Sequence, residues 1–213
     1  MKLIVYIHGK KQSGKDTVAN LLIEQLEHDL HGVKYAYGDP LKIVVCDLIK
    51  LFYGIEIDIA EFYQEESKER KRPELNGMSL RDFMQSIGTD IFRKRFDDRI
   101  WIDKIVKQID IDIKHGTHNL IIITDCRFGN EWFSYSKSLI EKGEDVKEIG
   151  IWITRQSIDD GDNHPSEQPL IDSEAFKTDY PQFIIKNDGT LNDLKQSVFK
   201  ISQNFEMLSI LYQ

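Results

Sequence analysis

Cysteine is scarce in this 213-residue sequence, which holds two, Cys46 and Cys126. They lie far apart, one in a helical pattern and one just after a strand pattern, which excludes a disulfide framework and the paired spacing of a zinc site. Both thiols are expected to be reduced, in an intracellular compartment. Long apolar runs are absent too. No stretch approaches the roughly 18 residues that would cross a bilayer, and the N-terminus enters a strand pattern almost at once, without the layout of a signal peptide. A soluble protein with no membrane partner is expected. There is no surplus of positive charge: 28 Lys and Arg stand against 36 Asp and Glu, for a net charge of -8. That balance argues against a general nucleic-acid binder, whose affinity for the phosphate backbone needs clustered cations. Any phosphate bound here sits in a local pocket. No internal repeat and no low-complexity linker divides the chain, so a single domain with insertions is expected.

What is present is organised around Gly9-Lys10-Lys11-Gln12-Ser13-Gly14-Lys15-Asp16-Thr17. This stretch lies between the apolar run Leu3 to Ile7 and an amphipathic helical pattern. The spacing Gly-x4-Gly-Lys is that of a Walker A phosphate loop, in which backbone N–H groups curl round phosphates and the lysine reaches the β- and γ-phosphates. Strand, loop and helix form the frame that chemistry needs. The position after the lysine departs from the common pattern. A Ser or Thr hydroxyl usually binds Mg²⁺ there, and this chain has Asp16, with Thr17 next. Three roles are open: Asp16 holds the ion directly or through water, Thr17 supplies the hydroxyl, or Asp16 suits the positive end of the helix dipole.

Helical spacing continues through Val18, Leu21, Leu22, Gln25 and Leu26, with His31-Gly32 as a stop signal. A short strand is expected over 34–38, then Asp39-Pro40 as N-cap and first helical residue. The helix that follows has a buried stripe of Leu41, Val44, Val45, Leu48 and Phe52, which leaves Lys42 off the stripe near the N-terminus. Residues 55–72 are charge-rich and read as a surface insertion, with Lys68, Arg70, Lys71 and Arg72 alternating with acids on a solvated face; 73–77 reads as loop. Ser79 to Asp82 has the spacing of a capping box, and Leu80, Phe83, Met84, Ile87 and Ile91 mark the buried face of the next helix. On its other side Arg81, Gln85 and Thr89 recur every four residues and form one polar ridge, continued by Arg93. A further helix carries Ile102, Ile105, Val106, Ile109 and Ile113.

Leu120 to Ile123 is a continuous apolar run, as expected of a central parallel strand buried on both faces. It ends in Thr124-Asp125-Cys126-Arg127. Ligands gather at the carboxyl ends of strands in open α/β sheets, which brings Asp125 and Arg127 toward the crevice of the phosphate loop. Another strand is expected over 149–154. The polar segment 155–170 reads as a lid or a plain connection, with Arg155 a candidate cation and His164 a lone loop histidine. Phe183 to Ile185 is the last strand. Thr190 and Asp193 then cap a helix with the stripe Leu191, Leu194, Val198, Ile201, Phe205 and Leu208. Strands that alternate with helices imply an α/β fold: a three-layer sandwich round a mainly parallel five-stranded sheet.

Six segments together resemble the phage-type deoxynucleoside monophosphate kinase family of P-loop kinases: 9–17, Gly-Asp-Pro-Leu-Lys at 38–42, Met-Gln-Ser-Ile-Gly-Thr-Asp at 84–90 with Trp101 downstream, Thr-Asp-Cys-Arg-Phe-Gly-Asn-Glu at 124–131, His-Pro-Ser-Glu at 164–167, and Asn-Asp-Gly-Thr-Leu at 187–191. The resemblance spans nearly the whole chain, and an Asp after the loop lysine is usual in that family. It implies a P-loop kinase fold with a core over about 1–54 and 117–213, a helical acceptor-binding insertion over about 55–116 and a lid over about 155–170. It implies transfer of the ATP γ-phosphoryl group to a deoxynucleoside monophosphate, with Mg²⁺, in supply of DNA precursors in the cytoplasm, a host's if the source is viral. By resemblance Lys11, Ser13, Gly14, Lys15, Asp16 and Thr17 meet the donor phosphates and Asn187 the donor adenine. Lys42, Arg81, Gln85, Thr89, Asp90, Trp101, Asp125, Arg127 and Glu131 line the acceptor side. Lys15, Asp125, Arg127 and Arg155 serve the transfer, and Asp16, Thr17 and Asp125 are the metal candidates. A homodimer is one option for assembly.

Two other classes stand beside this one. A P-loop kinase for a hydroxyl acceptor, similar to dephospho-coenzyme A kinase, would use Asp125 or Asp39 as a base. A nucleotide-dependent switch would carry Asn-Lys-x-Asp, and Lys186-Asn187-Asp188 does not match it.

Overall fold

The computed structural model describes residues 2–116, 118–156, 164 and 182–210, with side chains described up to 205 in the last helix. In chain order the elements are β1 (Lys2–His8), α1 (Lys15–Leu26), β2 (Gly32–Tyr35), α2 (Asp39–Tyr53), α3 (Glu65–Glu69), α4 (Leu80–Met84), α5 (Ile100–His115), β3 (Leu120–Ile123), α6 (Ser134–Glu141), β4 (Val146–Thr154), β5 (Gln182–Lys186) and α7 (Leu191–Ile210). Single 3₁₀ turns occupy Ile59–Tyr63, Pro73–Leu75 and Gly129–Glu131, and Gln85–Phe96 is wound as a π-helix. The chain divides into two compact units, one of 1–36 with 109–213 and one of 37–108. Among the described residues no helix is long and apolar enough to cross a membrane.

The first unit is built on a five-stranded sheet in the order β2-β3-β1-β4-β5, with every pairing parallel. Alternation along β1 decides its faces. Leu3, Val5 and Ile7 join Leu120, Ile122, Ile149, Ile151, Ile153 and Ile185 in one core with the apolar stripes of α1 and α7. The opposite face carries Tyr6, whose ring lies 5.3 Å from Phe133 just before α6. Helices on both faces of a parallel sheet give three layers. The four residues of β3 are all buried, because strands flank it on both sides. The chain leaves β1 toward β2 and later crosses from β3 to β4 on the far side of β1. The strand order therefore reverses at β1 and β3, and their carboxyl ends bound the crevice where such sheets bind ligands.

The second unit is helical. Leu41, Val45 and Ile49 of α2, spaced by four, pack with Phe62, Leu75, Leu80, Phe83 and Trp101 in its core. α4 opens with the expected capping box: Asp82 N–H donates to Ser79 Oγ at 3.2 Å and Ser79 N–H to Asp82 Oδ2 at 2.7 Å.

Several expectations are corrected. α1 ends at Leu26, and Gly32 opens β2 instead of stopping a helix. It lies so close to Ile23 that a Cβ would sit 2.8 Å from its side chain, a helix–strand approach that favours glycine. Asp39 is inside α2 and Gly38 caps it without a side-chain bond, because the Asp39 carboxylate is taken by Lys42 and Tyr63. Phe52, Ile91 and Leu191, expected on buried stripes, are exposed. For Ile91 the cause is the π-helix, whose i→i+5 bonding rotates later residues off an α-helical stripe. The 55–72 segment is not wholly solvated: Arg72 is buried and pairs with Glu61. β4 begins at Val146, earlier than its apolar run. Apart from Arg155, Gln156 and His164, the expected lid lies outside the described residues, as do Pro165, Ser166, Glu167 and the side chain of Leu208.

Candidate active site

In the first unit the loop after β1 has the backbone of a phosphate cradle. Gln12 and Gly14 adopt left-handed conformations, φ 57° and 99°. Gly14 also faces Asn187, whose Nδ2 would lie 2.6 Å from any Cβ there, and a Cβ on Gly9 would meet Ser13 Oγ at 2.5 Å and the Ile153 carbonyl at 2.7 Å. Neither glycine can be replaced without reshaping the loop. The first helical bond of α1 runs from Val18 N–H to the Gly14 carbonyl at 2.9 Å. The amides of the turn before it have no partner within the helix, at the end where the dipole favours an anion. Lys15 arches back over the loop, its Nζ donating to the Gly9 and Lys10 carbonyls at 2.6 Å each. Ser13 Oγ is buried and has no hydrogen-bond partner among the described residues, which leaves polar capacity for a ligand.

Around the loop, Asn187 donates from Nδ2 to the Ser13 carbonyl at 2.8 Å, while its N–H donates to Thr154 O at 2.8 Å. It thus ties the end of β5 to the cradle. Arg155 Nη1 approaches Gln12 O at 3.4 Å. Asp16 is exposed and pairs with Lys34 at 3.0 Å, and Thr17 beside it is exposed. A cavity of about 170 Å³ adjoins the loop, lined by His8, Lys10, Ser13, Trp152 and Arg155 among others.

Asp125 and Arg127 follow β3, on a turn pinned at successive points. Thr124 N–H donates to Tyr35 O at 3.0 Å and Cys126 N–H to Ile7 O at 3.2 Å. Glu131 is buried, and its Oε2 accepts from the N–H groups of Arg127 at 2.6 Å and Phe128 at 3.0 Å. The structure thus places Glu131 as a brace for the turn that carries Arg127. Burial pushes the Cys126 thiol well above its ordinary pKa, with the charges of Glu131 and Asp125 adding to the effect.

In the second unit Lys42 lies near the start of α2. Its ammonium pairs with Asp39 Oδ1 at 2.7 Å and sits 3.7 Å above the centre of the Tyr63 ring. Tyr63 Oη donates to the same Asp39 oxygen at 2.9 Å. Burial raises the Tyr63 pKa, against the lowering effect of Lys42 and with the help of Asp39, which keeps the phenol a donor. Arg81 is buried, with Nε bonded to Glu69 and Nη2 3.5 Å from Glu65. Gln85, Thr89 and Asp90 all fall in the π-helix: Thr89 is buried, and Asp90 pairs with Lys94 at 2.7 Å. Trp101 is a core residue that donates from Nε1 to Gly88 O at 3.1 Å and packs edge-on against Phe92.

Sequence reasoning missed Tyr63, Glu65, Glu69 and His8. The first three lie in the charge-rich stretch whose periodicity was uninformative, and His8 belongs to no motif. A signal existed only for the acids, which alternate with the basic residues of that stretch.

A phosphate cradle with its lysine, on the first strand of a parallel sheet and beside an acidic strand end, defines a P-loop phosphotransferase. Residues 48–198 match the family described as deoxynucleotide monophosphate kinase, and the chain belongs to that family. The match begins after the phosphate loop, so the loop geometry and the family are separate observations. No curated protein matches the sequence significantly. Among solved structures, a thymidylate kinase from Ehrlichia chaffeensis is similar at 15% identity over 96% of this chain and 98% of that one, TM-score 0.46. The tunicamycin resistance protein of Deinococcus radiodurans is similar at 12% identity over 94% and 96%, TM-score 0.39. A gluconokinase from Sinorhizobium meliloti is similar at 12% identity over 96% of each chain, TM-score 0.37. These likenesses are distant; the family match and the residues above carry the assignment.

Proposed function

We propose that the protein transfers the γ-phosphoryl group of ATP to the 5′-phosphate of a deoxynucleoside monophosphate, forming ADP and a deoxynucleoside diphosphate for DNA precursor supply. The observation that carries this reading is the cradle of Gly9 to Thr17 with the Lys15 ammonium held across it, in a chain of this family. Lys15 and the loop amides hold the donor phosphates. The family resemblance gives Lys42, Arg81 and Arg127 to the acceptor phosphate and Arg155 to the transferred group.

A nucleotide phosphate has its second pKa near 6, so at neutral pH its attacking oxygen is largely ionised and needs no general base. Catalysis then rests on alignment and neutralisation. Asp125 accordingly organises substrate or metal-bound water and does not abstract a proton. Asp39, engaged by both Lys42 and Tyr63, is poorly placed to act as the base that a hydroxyl acceptor would require.

The oxygens available suit Mg²⁺, a hard cation that keeps several waters and is completed by nucleotide phosphates. Among the described residues no group of three or more His, Cys, Asp or Glu offers a metal site of its own, which fits an ion that arrives with ATP. Asp16, Thr17 or Asp125 would hold it, where it would neutralise the β- and γ-oxygens.

The test is a turnover assay with Mg-ATP and a panel of deoxynucleoside and ribonucleoside monophosphates. At least one deoxynucleotide is expected to give its diphosphate with matching ADP. Silence across the panel while a hydroxyl substrate such as dephospho-coenzyme A reacts would overturn the reading.

A further inference from the structure

His8 is the last residue of β1 and directly precedes the first glycine of the loop. It is 4% exposed, with Trp132 and Trp152 beside it at ring-centroid distances of 6.2 and 6.4 Å. Its Nδ1 lies 2.6 Å from the carbonyl oxygen of Cys126. A carbonyl has no hydrogen to give, so Nδ1 carries the proton and donates. The bond joins the base of the phosphate loop to the middle of the turn that holds Asp125 and Arg127. Amides of that turn make further ties, to Tyr35, Ile7 and Glu131. His8 adds a bond to a carbonyl of the same turn.

We infer that His8 is a positioning residue for the phosphoryl transfer proposed above, and the inference rests on that reading. The ring N–H and the Glu131 carboxylate hold the Asp125–Arg127 turn in fixed register with the phosphate loop. Arg127 then meets the acceptor phosphate from one place in every turnover, and its ordering is complete before substrate arrives.

A histidine that only packs would contribute ring volume; a positioning histidine contributes a directed donor. Two substitutions separate these. H8F keeps an aromatic ring and loses the donor. H8N loses most of the ring and keeps an amide N–H close to the place of Nδ1. Because a misplacement of about 1 Å can cost 10²-fold, H8F is expected to lower kcat on the best deoxynucleotide of the panel by roughly 10- to 100-fold, with ATP affinity changed less than about 3-fold. H8N is expected to keep kcat within about 5-fold of the parent even though its Tm falls. Equal losses in the two variants, or an active H8F beside an inactive H8N, would overturn the inference.

A second arm does not depend on activity. Amide hydrogen exchange at Cys126, Arg127 and Phe128 is expected to run about 5- to 10-fold faster in H8F than in the parent, the factor one lost hydrogen bond allows, and to be near parental in H8N. Unchanged protection in H8F would overturn the inference as well. If the parent phosphorylates no deoxynucleotide, the kinase reading fails by itself while the exchange arm still decides whether His8 holds the turn. Should H8F not fold, H8M, an adaptable apolar filler without a donor, takes its place in both arms.

Discussion

Gly14 and Lys15 divide the work of the loop, one shaping it and the other charging it. Gly14→Ala would force a Cβ residue to φ 99° and bring that Cβ within 2.6 Å of Asn187 Nδ2, breaking the tie from Asn187 to the Ser13 carbonyl. ATP binding is expected to weaken by at least about 10-fold, with a Tm loss of a few degrees from backbone strain of ~1–3 kcal/mol. Lys15→Met should leave Tm within about 2 °C and lower kcat by about 10²–10³, the size of a lost charge-stabilising donor. Calorimetric titration with ATP and steady-state assays check both. These two residues were legible because the Gly-x4-Gly-Lys spacing is local. His8 was not, since its meaning depends on Cys126, 118 positions away. Arg81 was half legible: helical spacing singled it out on a polar ridge, but its partners Glu65 and Glu69 sit in a segment that alternates in charge like any solvated face.

Among the elements, the strands were the most readable, because burial on both faces makes a parallel strand apolar at every position, as in Leu120 to Ile123. The π-helix over Gln85–Phe96 was hidden. Its apolar residues keep α-helical intervals, and the sequence has no separate signature for i→i+5 bonding; in this winding Thr89 and Arg93 are buried. That winding carries Gln85, Thr89 and Asp90, which the family resemblance gives to the acceptor, just after a helix started by one capping box. Ser79→Ala removes the side-chain acceptor for Asp82 N–H and is expected to cost about 1 kcal/mol, or roughly 2–4 °C in Tm for a chain of this length. The same box predicts a pH dependence. Burial works to raise the Asp82 pKa, but bonds from Lys71 and Ser79 outweigh it and hold the carboxyl below its usual range. A depressed folded value means that stability is fully present above the unfolded value near 4 and is lost as pH falls through the folded one. The Tm deficit of Asp82→Asn should therefore be largest above about pH 5 and shrink toward pH 3. A deficit that is flat with pH would assign the box a role independent of the carboxylate charge.

Taken whole, the molecule is an acidic chain, of net charge -8, which on the proposed reading would bind anionic nucleotides through a few locally held cations. That arrangement makes the donor site separable from the acceptor chemistry. Ligand that binds the folded state alone stabilises by RT ln(1 + [L]/Kd), about 2.7 kcal/mol at 100 times Kd, so saturating Mg-ATP is expected to raise the parent Tm by roughly 5–10 °C. Lys15 and the loop amides belong to the cradle, whereas Arg127 sits on the β3 turn, its own backbone held by Glu131 whatever its side chain does. Arg127→Ala should then keep the ATP-induced shift within about 2 °C of the parent while acceptor turnover falls about 100-fold. Lys15→Met should show the opposite emphasis and lose much of the shift. Scanning calorimetry with and without Mg-ATP, run beside the turnover assay, reads both quantities on the same preparations. If Arg127→Ala loses the ATP shift and the turnover together, its guanidinium belongs to the donor side, and the division of labour between the loop and the β3 turn is wrong.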